Sequence, residues 1–289
     1  MKAFVYGQKW KEKDDKYIRL LLSKLDKEEV EYKLSSQIAA EAPDDIISEV
    51  IHDHESLKAY EPDLIITLGG DGTILSAVTQ IQGLETPILG INLGRLGFLA
   101  SIEQQRIEHA IDLYLAGRFR ISERLMLNLN TNPSTFGEEN YGLNDFTILK
   151  RDNSSMIVLH TYVDGQFLNS YWADGLIVST PTGSTGYNLS CGGPIIFPTA
   201  DNFILTPVAP HNLNVRPIVL SSDHELTFKI EGRSENYLCT MDSRYEVITS
   251  DYELTIRKNN FKTKIIELEE DNFMKTIRNK LNWGLDKRN

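Results

Sequence analysis

Cysteine is scarce in this chain: 289 residues contain two, Cys191 and Cys239. They make no CxxC pair and no zinc-type spacing, which excludes a zinc module and a small disulfide-stapled domain. A reduced, cytoplasmic protein is the expectation. Positive charge is also in deficit, with 30 Lys and Arg against 41 Asp and Glu and a formal net charge of -11. Such a surface is unsuited to sequence-independent binding of nucleic acid or of an anionic membrane. It leaves open a small anionic ligand held by a local site. Long hydrophobic runs are missing too. The longest stretch without charge, 175–200, is more than half Gly, Pro, Ser and Thr, the wrong material for the roughly 20 apolar residues of a bilayer helix. The opening residues 1–7 are too few and too soon charged to read as a signal peptide. There is no internal repeat and no low-complexity tract. What remains is a chain of ordinary globular composition, long enough to bury two cores.

The pattern changes near residue 120. Over 1–121, short apolar runs alternate with helical spacing. Ala3-Phe4-Val5-Tyr6 reads as a buried strand, and Tyr17, Leu20, Leu21 and Leu25 repeat at helical intervals. Pro43 suits the first turn of another helix, with Ile46, Val50, Ile51 and Leu57 on its inner side. A strand over 63–68 runs straight into a glycine cluster, a helix follows over 74–81, and 87–91 is the next strand. A further helix carries Ile107, Ala110, Ile111, Tyr114 and Leu115 and ends at Gly117. This predicts an N-terminal α/β domain, a parallel sheet with helices on its faces.

Over 122–268 the period becomes two. Leu125, Leu127 and Leu129 alternate with polar neighbours, Asp164-Gly165 suits a two-residue hairpin turn, and Leu226-Phe228-Ile230 and Leu254-Ile256 alternate likewise. A β-rich C-terminal domain of stacked sheets is predicted, with 261–268 as one of its strands. Residues 269–289 close with a helix carrying Phe273, Ile277 and Leu281, which stops at Gly284 and is expected to pack back on the first domain.

Two segments carry chemistry. Gly69-Gly70-Asp71-Gly72-Thr73 ends a strand and opens a helix. Missing side chains let a phosphate approach backbone N–H groups, and the helix start adds a favourable dipole. An Asp inside such a turn is a poor phosphate contact, but it serves as a base toward a hydroxyl or as a ligand to the metal that accompanies ATP. The structural alternative is simply a tight turn built from Gly and Asp. Neither a Walker A motif nor GxGxxG is present. The second segment, 174–190, runs from a strand into a Gly/Pro-shaped loop dense with Ser and Thr and closed by Tyr187. Hydroxyl and amide donors suit ribose and phosphate, and Tyr187 offers a stacking face. A polar β-loop with local hydrogen bonds is the plain alternative.

With these blocks, the sequence resembles the NAD kinase family, ATP-dependent enzymes that phosphorylate the 2′-hydroxyl of the adenosine ribose of NAD. The resemblance extends through Asn92-Leu93-Gly94-Arg95-Leu96-Gly97-Phe98-Leu99, Asn144-Asp145, Gly192-Gly193-Pro194 and Leu205-Thr206-Pro207-Val208-Ala209-Pro210-His211, in the family's order and over about half the chain. It implies that Asp71 is the base for the 2′-hydroxyl proton and that Gly69, Gly70, Gly72 and Thr73 seat the ATP phosphates. It also implies NAD contacts from Asp71, Gly72, Asn144, Asp145, Asp174, Thr185, Gly186, Tyr187, Asn188, Leu189, Ser190, Ala209 and Arg244. Asn144 would bind adenine. Asp145 stands where Glu is usual, with a carboxylate reach shorter by about 1.5 Å, and Gly186 stands where Ala is usual. Ser155 occupies a position at which some members carry a basic or imidazole side chain. Asp174 would meet the nicotinamide end of NAD from a neighbouring subunit, in a homodimer or homotetramer.

The resemblance further implies Mg²⁺ or Mn²⁺ bound with ATP; no dedicated metal cage is visible in the sequence. The reaction site is expected between the two domains. A lipid kinase would share the glycine motif without explaining 174–190, and a non-catalytic NAD(P)-binding regulator would keep that loop without needing Asp71. Other residues read plainly. His52-Asp53-His54 is expected on a solvated helix face and Cys191 in packing. The charged run 9–16 is expected as a solvated helix entry.

Overall fold

The computed structural model describes residues 1–151 and 156–284; Ser155 lies outside the described residues. The chain forms two compact units. One is Met1–Glu123 together with the C-terminal segment from Thr263, and the other is Arg124–Lys262.

In the first unit, strands β1 (Lys2–Gly7), β2 (Glu31–Ser35), β3 (Val50–Ile51), β4 (Leu64–Leu68) and β5 (Ile88–Asn92) run parallel in the order β3-β2-β1-β4-β5. β4 and β5 are buried at every position and β1 at nearly every one. This is why they read as continuous apolar runs rather than as alternating strands. The chain steps from β1 outward to β2 and β3, then returns to β4 on β1's other side. The strand order therefore reverses between β1 and β4, the switch point at which α/β sheets open a crevice beyond the carboxyl ends of their strands. Gly7 pairs with Leu68 across that boundary, so the loops after β1 and β4 emerge side by side.

Two expectations for this unit are corrected. The strand Thr263–Leu268, predicted in the β-rich domain, pairs parallel with β5 through Ile265 and Ile88 and extends the first sheet. Its apolar residues Ile265, Ile266 and Leu268 suit either kind of sheet, so its pattern could not choose. The helix predicted from Pro43 is also absent there. Val50 instead pairs with Leu34 as β3, and the next helix spans His54–Tyr60. Asp53 caps that helix, its carboxylate accepting from the Ser56 N–H at 2.8 Å. The His52-Asp53-His54 run is thus a helix entry and not a helix face. The last helix, Phe273–Leu281, buries Ile277.

The second unit contains two six-stranded antiparallel sheets. One runs Ile218–Ser221, Asn202–Val208, Gly175–Ser179, Asp145–Lys150, Tyr237–Met241, Arg244–Ile248. The other runs Gln166–Ala173, Ile157–Val163, Leu226–Glu231, Glu253–Lys258, Leu127–Asn132, Tyr141–Gly142. The inward residues of both, among them Leu127, Leu129, Phe146, Phe203 and Phe228, form one core, each fully buried side chain contributing roughly 1.5–3 kcal/mol. Asp164 and Gly165, both at positive φ, make the expected hairpin turn.

Candidate active site

At the switch point of the first unit lies a cleft of about 510 Å³, a volume suited to a small-molecule ligand. Leu68, Gly69, Gly70, Gly72 and Thr73 line it from the loop after β4, and Leu93 and Gly94 from the loop after β5. Gly69 is required by the fold: its φ is +153° and a Cβ there would meet Thr73 Oγ1 at 2.1 Å. Gly70 and Gly72 are different. A Cβ on either would meet nothing within 4 Å, so packing does not ask for glycine. A helical Gly such as Gly72 costs about 1 kcal/mol against Ala. What its absent side chain provides is open access to the backbone. The helix Asp71–Ile81 begins here with Gly70 as an extended N-cap and no side-chain cap, which leaves N–H groups for an anion.

Asp71, at the start of this helix, turns its carboxylate onto the following loop. Oδ2 accepts from the Phe98 N–H at 2.8 Å, and Oδ1 from the Leu99 and Ala100 N–H groups at 3.0 and 2.9 Å. A carboxylate offers about four lone-pair positions. Three are used, and the remaining one, on Oδ2, can receive a hydroxyl proton. Asn92 shapes the loop that makes these bonds. Its Nδ2 donates to the Arg95 and Ala100 carbonyls at 2.8 and 3.4 Å, and its Oδ1 accepts from the Gly94 N–H at 2.7 Å. The block 92–99 is therefore the frame that aims Asp71.

The run 9–16 is, as expected, an exposed helix entry: Lys9, Lys11, Glu12 and Lys13 are exposed and the turn Glu12–Asp14 leads into the helix Asp15–Lys27. Lys9, Lys11 and Lys13 line the same cleft, with Gln8 and Asp14.

In the second unit, Asn144 and Asp145 sit at the entry of the Asp145–Lys150 strand. The turn is held by Asp242, which no motif had singled out. Asp242 Oδ2 accepts from the Leu143 N–H at 2.8 Å, and Oδ1 from the Asn144 and Asp145 N–H groups at 2.8 and 3.1 Å. Its φ of 53° is left-handed. Thr180 adds a backbone bond to the Asn144 carbonyl at 2.8 Å, and a Cβ at Gly183 would lie 2.1 Å from that carbonyl oxygen. With its backbone so held, the Asn144 side chain keeps a buried Oδ1 without a partner, a group that a ligand donor would satisfy. The Asp145 carboxyl is pushed up to about 7, by burial first and by the Asp242 charge second. Burial raises Asp242 as well, while its three N–H donors and Arg244 act to lower it.

The loop 180–190 divides into structural and available groups. Ser184 exchanges hydrogen bonds with Ile196, at 3.2 and 3.0 Å. Asn188, expected on NAD, is fully buried. Its amide donates to the Ser184 and Pro194 carbonyls at 3.0 and 3.1 Å, and its Oδ1 accepts from the Thr206 hydroxyl at 2.6 Å. Both its amide hydrogens are used and the side chain is out of reach of solvent, so it serves to hold the loop. Gly186 does face the site residues, since a Cβ there would lie 3.7 Å from both Asn144 Nδ2 and Asp145 Oδ2. Tyr187 and Ser190 are exposed, Leu189 is half-buried, and Thr185 donates to the Thr182 carbonyl at 3.3 Å. Burial pushes the Cys191 thiol up, against a role as nucleophile.

Asp174 is half-buried, with Oδ1 2.6 Å from Lys150 Nζ. Ala209, in the neighbouring strand's exit, is exposed at φ 44°. Arg244, also expected on NAD, instead donates to the Glu139 and Tyr141 carbonyls and lies over the Tyr141 ring. Its guanidinium is engaged in holding backbone.

A switch-point cleft with a glycine loop, an uncapped helix start and a framed carboxylate defines a phosphotransferase of the α/β class. The comparisons make this specific. Residues 13–119 match the ATP-NAD kinase N-terminal domain and residues 143–268 the ATP-NAD kinase C-terminal domain. The NAD kinase of Cytophaga hutchinsonii is 43% identical over 99% of both chains, and that of Flavobacterium psychrophilum 42% identical over 100% of both. Among solved structures, an Archaeoglobus fulgidus NAD kinase in complex with ATP is 26% identical at a TM-score of 0.78, covering 98% of this chain and 99% of that one. Yeast NADH kinase complexed with NADH shares the fold, at 21% identity and a TM-score of 0.85 over 98% of this chain and 88% of that one. The chain belongs to the NAD kinase family. Among the described residues no helix is long and apolar enough to cross a membrane.

Proposed function

We propose that this chain transfers the γ-phosphoryl group of ATP to the 2′-hydroxyl of the adenosine ribose of NAD, giving NADP and ADP. The observation that carries this reading is the neighbourhood of an uncapped helix start, suited to phosphate, and the Asp71 carboxylate with one lone pair free. Asp71 takes the hydroxyl proton as the 2′-oxygen bonds to the γ-phosphorus and the bond to the β-phosphate oxygen breaks. Gly69, Gly70, Gly72 and Thr73 seat the phosphates through backbone N–H groups. Phosphoryl transfer asks chiefly for positioning and charge neutralisation, and Mg²⁺ or Mn²⁺ supplies part of the latter. No group of three or more His, Cys, Asp or Glu among the described residues is arranged for a metal.

Asn144 and Asp145 serve the adenosine of NAD, with Gly186 leaving room above them and Tyr187 offering a ring face. Asp174 serves the nicotinamide end, supplied to a neighbouring subunit of a homodimer or homotetramer. The setting is the cytoplasm, in keeping with two free cysteines. The test is an assay of the purified chain with ATP, Mg²⁺ or Mn²⁺ and, separately, NAD, NADH and a diacylglycerol. NADP formation is read by a coupled NADP-specific dehydrogenase. Phosphorylation of the diacylglycerol, or NAD binding without any transfer, would replace this reading by a lipid kinase or by a regulator.

A further inference from the structure

We propose that Lys9, Lys11 and Lys13 form a cationic wall that binds the triphosphate of the phosphoryl donor. The proposal rests on the reading of ATP as donor. All three line the cleft whose other side is the glycine loop Gly69, Gly70 and Gly72. None has an ion-pair partner among the described residues. Elsewhere in this acidic chain cations are commonly held by carboxylates: Arg19 by Asp15 and Asp45, Lys24 by Glu28 and Asp112, Arg106 by Glu270 and Asp271. Three free lysines gathered in one concavity make a local positive field against an overall charge of -11. Asp14 is the one carboxylate among the described lining residues.

The local structure fixes where these charges stand. Exposure alternates along 9–11: Lys9 and Lys11 are exposed, and Trp10 between them is 6% exposed within the hydrophobic core. The Trp10 indole N–H donates to Asp15 Oδ1 at 3.0 Å. Lys11 is extended, with φ -97° and ψ 140°, and the single 3-10 turn Glu12–Asp14 then presents Lys13. Upstream, Gln8 Nε2 donates to Ser76 Oγ at 2.8 Å, and Ser76 belongs to the helix that begins at Asp71. The segment is thus anchored at Gln8 and Trp10, on either side of Lys9 and just before Lys11, beside the helix start that would take the phosphates. A helix start offers roughly half an elementary charge, far short of the charge on a triphosphate. Lysines, as mobile point charges, supply the rest without demanding one geometry. Lys9 and Lys11 precede residue 13, where the match to the family's N-terminal domain begins.

The experiment uses the full chain. ATP, ADP and AMP are titrated calorimetrically without NAD, and steady-state kinetics are measured with ATP and NAD. The variants are Lys9→Gln, Lys11→Gln and Lys13→Gln singly and together, and the triple Lys→Arg variant. Each single change should raise the Kd and KM for ATP about 3- to 5-fold, and the triple Gln variant roughly 30- to 100-fold. The loss should grow from AMP through ADP to ATP, and the salt dependence of ATP binding should become shallower. The KM for NAD should stay within about twofold, and the triple Arg variant should retain most of the ATP affinity. Equal losses for AMP and ATP, or a folded triple Gln variant with native ATP affinity, would overturn the wall while NADP formation by the native chain upholds the donor reading. If the triple Gln variant does not fold, the single variants and the Arg variant decide by the same phosphate-number criterion. A native chain that neither binds ATP nor forms NADP removes the donor reading, and the wall with it.

Discussion

A Cβ at position 97 would sit 1.8 Å from Asp71 Oδ1 and 2.5 Å from its Cγ. Gly97 is thus the open floor on which the Asp71 carboxylate lies, and the three residues after it supply the N–H groups that hold it. The block 92–99 and the glycine loop, separated in sequence, act as one device for aiming a base.

Gly97→Ala should therefore push the carboxylate off its donors while leaving the sheet intact. Displacing a reacting group by about 1 Å costs on the order of 10²-fold in turnover. Asp71→Asn should lower kcat by roughly 10²–10⁴ with the fold and NAD binding kept, the usual worth of a general base. Because both changes disable the same group, the double variant should be no slower than Asp71→Asn alone. Stopped assays on the three proteins check this. Multiplicative losses in the double variant would mean that Gly97 acts on something other than Asp71.

The buried pair Asp145 and Asp242 makes a pH prediction. The Asp145 carboxyl stands at about 7 in the fold against 3.8 as its ordinary value. Between these limits the folded chain keeps a proton that the unfolded chain has released, so this group's contribution to stability falls as pH rises from 3.8 to about 7. Asp145→Asn removes that cost, and its gain in Tm over the native chain should be larger at about pH 8 than at about pH 5. A carboxylate accepting ribose hydroxyls must be ionised, so NAD affinity should rise with pH through about 7. Asp145→Ala should weaken NAD binding by about 1–3 kcal/mol, with little effect on the KM for ATP. Calorimetry across that range is the measurement; a flat NAD affinity from about pH 6 to pH 8 would take Asp145 off the ribose.

The sequence displayed the alternation of strands and helices up to residue 120, the period-two region after it, and the glycine loop, because these depend on neighbours within a few residues. It did not display Asp242, whose three donors lie 97 to 99 positions away. Nor did it separate Asn188 from Tyr187. Adjacent residues of one loop face opposite ways, one buried and bonded to Ser184, Pro194 and Thr206 and the other exposed. The lysine wall had a usable signal. Basic residues directly after the first strand of an α/β sheet sit at its carboxyl end, where ligands bind.

Asp242→Ala tests the frame around Asn144. It strands three N–H groups whose unmet hydrogen bonds cost about 1–3 kcal/mol each when buried, so Tm should fall and the KM for NAD should rise by roughly tenfold. Asp242→Asn keeps an acceptor oxygen and should fall between the native chain and Ala. The KM for ATP should move little in either. A change in ATP and NAD constants together, in proportion to lost stability, would reduce Asp242 to a general fold residue.

Asp174 carries the riskiest prediction. The family resemblance puts it at the nicotinamide end of an NAD bound mainly by another subunit, while in the single chain its carboxylate rests on Lys150 at 2.6 Å. If Asp71 and Asp174 of one site come from different chains, each of Asp71→Asn and Asp174→Asn should be nearly inactive alone. Co-refolded mixtures would then contain some sites with both carboxylates intact, because the two lesions fall in different chains. Activity should partly return, to a fraction set by random mixing, and native mass spectrometry should show mixed oligomers in the same samples. Lys150→Ala should leave this recovery in place, since in the shared arrangement NAD replaces Lys150 as the partner of Asp174. Mixed oligomers with no recovered activity would mean that both residues serve one site from the same chain.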